Sequence, residues 1–198
     1  MLKKILSTLL LIATVFTFAL SLSSCSKQST YYVKLQIKDY GDIILKLDRD
    51  NAPITVDNFV SLVKSGFYDG LTFHRVIDGF MIQGGDPKAN GTGGSSQTIT
   101  GEFSKNGYHN NILHKRGVIS MARSKAYDSA SSQFFIMHED AEHLDGLYAA
   151  FGYVIEGMDV VDAIVANTAK YGNSNGLIYY KEYQAVIEKA VVLKNYRI

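Results

Sequence analysis

Short segments in which apolar and polar residues alternate recur along most of the chain. Residues 32–38 (YVKLQIK) and 43–47 (IILKL) show this alternation on either side of a turn, and together they predict a β-hairpin. Further short, mostly apolar segments, separated by stretches rich in Gly, Ser and Asn, occur at residues 72–76, 80–84, 117–122, 133–137, 148–154 and 186–193. Each of them predicts a short strand.

Only two segments have the spacing of an amphipathic helix. Residues 52–66 contain Pro53 near their start and Gly66 as a stop, and their apolar positions share one face, at Val56, Phe59, Val60 and Val63. The second segment is residues 158–166 (MDVVDAIVA). Many short strands with only two helices favour a closed antiparallel barrel over a doubly wound sheet.

The N-terminus has a different pattern. Lys3 and Lys4 precede an apolar run without charge that extends to Ser26, which is typical of an export signal. The run ends in LSLSSCSK, where residues 22–25 match the lipobox of bacterial lipoproteins, whose cysteine is acylated and becomes the new N-terminus. Cys25 is the only cysteine of the chain, so it has no partner for an internal disulfide. An uncleaved signal anchor is the alternative.

These features predict three segments. Residues 1–24 are expected to be a lipoprotein signal peptide, residues 25–31 a lipidated cysteine with a polar leash, and residues 32–198 a folded domain. The domain is then expected outside the cytoplasm, anchored by lipid to the bacterial cell membrane. Which membrane of a two-membrane envelope carries it is left open.

The composition of the chain limits the kinds of function that it can have. The chain has 198 residues, of which 46% are hydrophobic, so it has enough apolar material for one sizeable core. Its 20 basic residues nearly balance its 19 acidic ones, for a net charge of +1. This balance gives no electrostatic reason to expect nucleic acid as a partner.

Several familiar catalytic motifs fail on spacing or on missing residues. The Gly-rich residues 90–96 (NGTGGSS) lack the lysine of a phosphate-binding loop, and no G-x-S-x-G nucleophile elbow is present. His138 and His143 are five residues apart, whereas two zinc ligands on one helical face are four apart. We therefore expect neither a cofactor nor a metal.

The segment FHRVIDGFMIQGGD, residues 73–86, places an arginine in an apolar run. Burying an unpaired guanidinium is costly, so Arg75 must reach either water or a pocket that uses its charge. Strict strand alternation places Phe73 and Arg75 on one face, opposite His74 and Val76. This arrangement makes His74 a structural residue and leaves Arg75 free to face a site.

Neighbouring and distant side chains supply the remaining parts of such a site. Gln83 offers a neutral donor and acceptor close to Arg75 along the chain. Apolar side chains are available to form a hydrophobic pocket, at Phe80, Met81, Phe135 and Leu144. No nucleophile is needed for a site built in this way.

Six segments of the sequence resemble a known family. The segments FHRVIDGFMIQGGD, GTGG, GVISMAR, SSQFFI, HLDGLYAAFG and VIEGMDVVDAI are similar, in this order, to the successive sequence blocks of the cyclophilins, and most of all to those of bacterial members. The resemblance extends over residues 32–198. It implies a closed eight-stranded antiparallel barrel capped by two α-helices, with a substrate groove on the outside of the barrel.

The resemblance also implies roles for individual residues. Arg75 would be the catalytic residue and Gln83 its support, while Phe80, Met81, Phe135 and Leu144 would hold the substrate proline. The rim would be formed by Ala122, Gln133 and Tyr148, and the GTGG loop would lie at the edge of the groove.

Three positions depart from common members of the family. His143 stands where many eukaryotic members have a tryptophan, which implies weak inhibition by cyclosporin. Tyr148 stands where many members have a histidine. Arg123 replaces a frequent asparagine, and we expect its side chain to be free to favour acidic substrates.

The implied activity is peptidyl-prolyl cis/trans isomerisation of X-Pro bonds in exported proteins. The partners would be proline-containing segments of folding proteins, without nucleic acid, and the protein would be a monomer. The alternative is a non-catalytic module or chaperone that binds proline peptides in the same groove.

Overall fold

The computed structural model describes residues 28–194 and 196, which form eight β-strands and two α-helices. The signal peptide and lipidated Cys25 predicted from the sequence lie outside the described residues. The elements are β1 (Thr30–Ile37), β2 (Gly41–Asp48), α1 (Pro53–Lys64), β3 (Thr72–Ile77), β4 (Met81–Gly84), β5 (Val118–Met121), β6 (Phe134–Met137), β7 (Ala150–Glu156), α2 (Met158–Thr168) and β8 (Ala185–Leu193).

The strands close into a single antiparallel barrel in the order β1-β2-β7-β5-β6-β4-β3-β8. Closure occurs where β8 pairs with β1, from Tyr32 opposite Leu193 to Ile37 opposite Ile187. The prediction of a closed eight-stranded barrel with two helices is confirmed. None of the helices within the described residues is both long enough and apolar enough to span a bilayer.

Aromatic side chains fill the part of the core beneath α1. Phe59 projects from α1, and its ring centroid lies 5.0 Å from that of Tyr68, 5.4 Å from Phe134 and 5.2 Å from Phe151. All four side chains are fully buried. Because edge-on and tilted ring contacts add to the gain from burying apolar area, this cluster fixes α1 on the barrel.

The first strand begins earlier than the sequence analysis predicts. Residues 30 and 31, expected in the polar leash, pair with Asp48 and Leu47 as part of β1. Tyr31 packs against the core, and the ammonium group of Lys64 lies 5.8 Å from the centroid of its ring. These contacts explain why the strand extends into a segment of polar composition.

The expected alternation along β3 is broken by a β-bulge. Phe73 is opposite Gly84 and Arg75 is opposite Gln83, so His74 is an extra residue on β3. Phe73 and Val76 therefore both point into the core, and Arg75 does not share a face with Phe73. The prediction that these two residues share a face is wrong, because strict alternation holds only in a strand without an inserted residue.

A buried carboxylate caps the N-terminus of α1 from a distant part of the chain. Glu102 is 2% exposed and accepts hydrogen bonds from the backbone N–H of Ile54 (3.0 Å) and of Thr55 (2.7 Å). The hydroxyl of Thr55 donates to it as well (2.7 Å). Ala52, which precedes the helix, provides no side-chain cap. Glu102 therefore satisfies free donors at the positive end of the helix dipole.

Two histidines are buried in the barrel wall. His74 is fully buried, neither of its ring nitrogens has a hydrogen-bond partner among the described residues, and burial lowers its pKa although Asp86 opposes this. His114 is also buried, with Nδ1 2.9 Å from an oxygen of Asp145 and Nε2 3.0 Å from the hydroxyl of Ser120. Burial lowers the pKa of His114 more than Asp145 raises it.

Glu102→Gln is expected to lower the free energy of unfolding by about 1–3 kcal/mol, because an amide nitrogen would then face backbone donors of α1. Urea denaturation followed by circular dichroism measures this difference. Glu188→Gln is the matched control, since Glu188 is exposed on β8, and it should change stability by less than about 0.5 kcal/mol. Equal effects of the two substitutions would contradict the capping role.

The free energy of unfolding is expected to fall as the pH is lowered from about 7.5 to about 5. His74 and His114 have lower pKa values in the folded protein than the value of about 6.5 expected after unfolding, so the unfolded chain binds more protons in this range. The slope should reach at most about 1.4 kcal/mol per pH unit for each histidine. Urea denaturation across this pH range tests the prediction. His74→Gln should give a shallower slope, and an unchanged slope would contradict the assignment.

Candidate active site

Arg75 projects from β3 and is half-buried on the outer surface of the barrel. Its Nε–H donates to the backbone carbonyl of Asn175 (2.8 Å), and its Nη1–H donates to the side-chain oxygen of Gln83 (3.1 Å). Nη1 also lies 3.9 Å from the sulfur of Met81. Burial lowers the pKa of Arg75, and Tyr148 opposes this, but an arginine remains protonated at neutral pH. The site therefore holds a fixed cation.

A chain of amide groups orients Gln83. Its Nε2 donates to the side-chain oxygen of Gln133 (2.9 Å), and Nε2 of Gln133 donates to the carbonyls of Gly93 (2.7 Å) and Gly91 (3.2 Å). Because the carbonyls at one end of the chain only accept and the guanidinium at the other end only donates, the direction of every bond between them is defined. The oxygen of Gln83 is thereby turned toward Arg75.

The loop that anchors this chain is itself held by a buried carboxylate. Asp86 is fully buried and accepts hydrogen bonds from the backbone N–H groups of Lys88 (2.8 Å), Asn90 (3.1 Å) and Gly91 (2.6 Å). Burial alone would raise the pKa of Asp86, but these backbone donors lower it overall. The loop thus has a fixed shape where it meets Gln133.

The apolar side chains predicted for the site surround one cavity of about 370 Å³ next to Arg75. Met81 on β4 and Phe135 on β6 are buried, as is Leu144. Every residue that lines the cavity is among those singled out from the sequence, namely Arg75, Phe80, Met81, Gln83, Ala122, Arg123, Phe135, His143, Leu144 and Tyr148.

A second cavity of about 290 Å³ shares part of its wall with the first. Gln133, the remaining predicted residue, lies here together with the GTGG loop, represented by residues 91–93. Gln83, Ala122 and Arg123 line both cavities. The two cavities therefore lie side by side, share a wall, and together make up the groove.

Ring contacts hold the floor and the rim of the first cavity. The Phe135 ring stacks on the buried imidazole of His114, with centroids 6.0 Å apart, and meets Tyr148 edge-on at 5.9 Å. His143 is exposed, and its ring stacks on Phe80 at 5.6 Å. An imidazole thus covers one face of Phe80 at the rim of the cavity.

Arg123 is not the free side chain expected from the sequence. The centre of its guanidinium lies 5.1 Å from the ring centroids of Phe103 and Tyr127 and 4.6 Å from that of Tyr148. Its Nε and Nη2 groups both donate to the carbonyl of Leu147 (3.1 and 2.8 Å). The expectation is wrong because aromatic faces and a carbonyl hold this cation in the rim.

His138 and His143, the two histidines weighed as metal ligands, have different surroundings. His143 lies at the cavity rim, whereas Nδ1 of His138 accepts a hydrogen bond from the backbone of Gly79 (3.1 Å). Nε2 of His138 lies 3.3 Å from an oxygen of Asp162. Within residues 28–194 and 196, no cluster of three or more His, Cys, Asp or Glu side chains is arranged to hold a metal ion.

The sequence analysis did not single out Ser124, Ser129 and Ser131, which line the second cavity. It also missed the carbonyl of Asn175, which binds Arg75. Residues 172–176 (GNSNG) have the composition of a turn. A backbone carbonyl has no signature in the sequence, however, because every residue carries one. Its position beside Arg75 emerges only from the fold.

Comparisons with known proteins agree with this geometry. The family model described as cyclophilin type peptidyl-prolyl cis-trans isomerase/CLD matches residues 32–188. A peptidyl-prolyl cis-trans isomerase of Helicobacter pylori is 48% identical over 126 residues, which cover 63% of this chain and 74% of the relative. Peptidyl-prolyl cis-trans isomerase A of Dickeya dadantii is 42% identical over 164 residues, 80% of each chain.

Solved structures are similar over nearly their whole length. The crystal structure of a cyclophilin type peptidyl-prolyl cis-trans isomerase from Cryptosporidium parvum has a TM-score of 0.72 and 28% identity, and it covers 84% of this chain and 99% of that one. The structure of the same protein in the presence of the dipeptide Ala-Pro also has a TM-score of 0.72, with 30% identity and coverage of 83% and 99%.

Three independent observations now agree. The barrel topology, the groove with its fixed arginine and the family match over residues 32–188 all lead to one conclusion. The chain belongs to the cyclophilin family and is a peptidyl-prolyl cis/trans isomerase.

Proposed function

We propose that Arg75 is the catalytic residue and that the cavity formed by Phe80, Met81, Phe135 and Leu144 holds the substrate proline. The observation that carries this proposal is the position of the guanidinium. It lies at the mouth of an apolar cavity, with Nε and Nη1 already bonded to Asn175 and Gln83. Nη2 makes no hydrogen bond within the described residues, so it is the group that remains for a substrate.

The reaction explains why a fixed cation is useful. An X-Pro amide resists rotation because the nitrogen lone pair is delocalised into the carbonyl, and the barrier is roughly 18–20 kcal/mol. In the twisted transition state the lone pair is localised on the prolyl nitrogen and accepts a hydrogen bond. A guanidinium aimed at that nitrogen binds the twisted amide more tightly than the planar one, which lowers the barrier.

The apolar cavity has a separate task. It grips the proline ring while the preceding residue swings about the C–N bond. Shortening a step of tens of seconds to about a millisecond requires roughly 6 kcal/mol at about 1.4 kcal/mol per decade of rate. A desolvated, oriented hydrogen bond together with distortion of the bound amide supplies an energy of this size. No bond to the substrate is formed or broken.

A non-catalytic module that binds proline peptides is the second candidate. Such a module needs the apolar cavity but has little use for a half-buried guanidinium held at two positions. The amide chain from Gly93 through Gln133 to Gln83 also ends on Arg75 rather than on the apolar floor. The polar half of the site therefore favours the enzyme.

Location is a further part of the proposal. We propose that the protein is acylated on Cys25 and assists the folding of exported proteins at the membrane surface, as a monomer. The lipobox at residues 22–25 supports this proposal. Because β1 begins at Thr30, only residues 26–29 separate the cysteine from the barrel, and they span at most about 14 Å. The groove would then lie close to the bilayer.

Arg75→Ala is expected to lower kcat/KM for an X-Pro peptide by about 10²- to 10³-fold, since one preorganised donor to the transition state is lost. A protease-coupled isomerisation assay measures the rate, and circular dichroism verifies that the variant is folded. Lys189→Ala is the control, because it removes an exposed cation paired with Asp69 away from the groove. Unchanged turnover in Arg75→Ala would refute the catalytic role and leave the binding module as the better hypothesis.

Lipid attachment is tested on the full-length protein expressed in a bacterial host. Mass spectrometry of the membrane fraction should find a mature N-terminus at Cys25 carrying acyl chains, and Cys25→Ser should abolish incorporation of labelled palmitate. The purified domain from Lys27 should retain isomerase activity, because every residue that lines the cavity lies between Arg75 and Tyr148. A protein that still carries residues 1–24, with Cys25 unmodified, would contradict the lipoprotein assignment.

A further inference from the structure

Residues 173–177 form a compact turn organised by one side chain. The Oδ1 atom of Asn173 accepts hydrogen bonds from the backbone N–H groups of Asn175 (2.9 Å) and Leu177 (3.1 Å). The backbone of Asn173 donates to Leu177 (3.0 Å) and accepts from Gly176 (2.8 Å). An asparagine whose side chain bonds the backbone ahead of it is a common device for fixing a turn.

This turn takes the place of a strand beside β3. β3 pairs with β8 only at Thr72 and Phe73. Beyond that point the 173–177 turn continues the pairing: the N–H of Val76 donates to Gly176 (2.9 Å), and Arg75 forms an antiparallel bridge with Leu177. The turn is therefore fixed to the strand that carries the arginine.

Gly176 allows the turn to approach this closely. Its φ angle is +78°, a conformation that other residues rarely adopt. A Cβ atom there would lie 2.7 Å from the carbonyl oxygen of Val76 and would collide with the side chain of Ile77. Any larger residue would push the turn away from β3 and would move the Asn175 carbonyl with it.

The turn thus supplies one of two acceptors on different edges of the Arg75 guanidinium. The Asn175 carbonyl binds Nε, and Gln83 binds Nη1. A single hydrogen bond leaves a long arginine side chain free to rotate about that contact, whereas two acceptors define the plane of the guanidinium. The direction of Nη2 is then set before a substrate arrives, which is the condition under which a donor lowers a barrier most.

We propose that the 173–177 turn positions Arg75 for isomerisation and that Asn173 is the positioning residue within it. This inference rests on the proposed catalytic role of Arg75. Asn173 itself does not line the groove, so its contribution passes through the carbonyl of Asn175. A role confined to stability of the barrel edge is the competing explanation.

The test compares kcat and KM of Asn173→Ala and Asn173→Asp in the otherwise intact protein. Removal of the side-chain acceptor should lower kcat about tenfold with little change in KM, because the apolar cavity is untouched. Asn173→Asp keeps an acceptor oxygen and should restore kcat to within about twofold of the original value. Tyr179→Phe is the control, since it removes only the contact between the Asn173 amide nitrogen and the Tyr179 hydroxyl (3.1 Å).

Repeating Asn173→Ala in an Arg75→Lys background separates positioning from stability. Lysine has no Nε–H to donate to the Asn175 carbonyl. Adding Asn173→Ala to the Arg75→Lys protein should therefore leave the kcat of that protein unchanged. The same loss in both backgrounds, or no loss in either, would overturn the inference. If Arg75→Lys and Arg75→Ala both retain full activity, the proposed catalytic role itself fails, which is a different outcome.

A spectroscopic measurement, made first on the unsubstituted protein, gives a readout that does not depend on turnover. The Nε–H resonance of Arg75 should be protected from exchange with water, because it is bonded to the Asn175 carbonyl. In Asn173→Ala that protection should fall, and in Asn173→Asp it should return. An Arg75 Nε–H that exchanges as fast as that of a free arginine would overturn the proposal.

Discussion

A guanidinium can lie against an apolar cavity only if fixed acceptors replace the water that it loses, because a partly buried donor without a partner is costly. Arg75 meets this condition at two edges, through the Asn175 carbonyl and Gln83. The bulge at His74 is what permits the arrangement, since it lets β3 give Phe73 and Val76 to the core and still turn Arg75 outward. The groove depends on this irregularity in β3.

The rest of the site is built as support for that cation. On one side, a buried carboxylate at Asp86 shapes the loop whose carbonyls fix Gln133, and through it Gln83. On the other side, the 173–177 turn replaces a strand next to β3. Both supports come from loops, but each loop is held by backbone hydrogen bonds to a single polar side chain. This construction gives loop residues the precision that is normally found in strands.

The sequence predicted the barrel well because short apolar or alternating segments bounded by turn residues recur along the chain, with only two helical patterns among them. It also singled out every residue that lines the cavity next to Arg75, through one arginine in an apolar segment and a family resemblance. The bulge at His74 escaped prediction, because one inserted residue leaves no periodic signal. The rings packed around Arg123 were not predicted either, because they come from distant parts of the chain. The Asn175 carbonyl was not predicted because it is a backbone group.

The aromatic rings around Arg123 affect which peptides the groove can bind. Arg123, Ala122 and Gln83 line both cavities. The guanidinium of Arg123 in this shared wall is held by Tyr148 and by the carbonyl of Leu147. Because these contacts fix Arg123, the shared wall keeps its position when a peptide binds. The distance between the two cavities is therefore fixed by the fold. A peptide that fills both must place its two side chains at that distance.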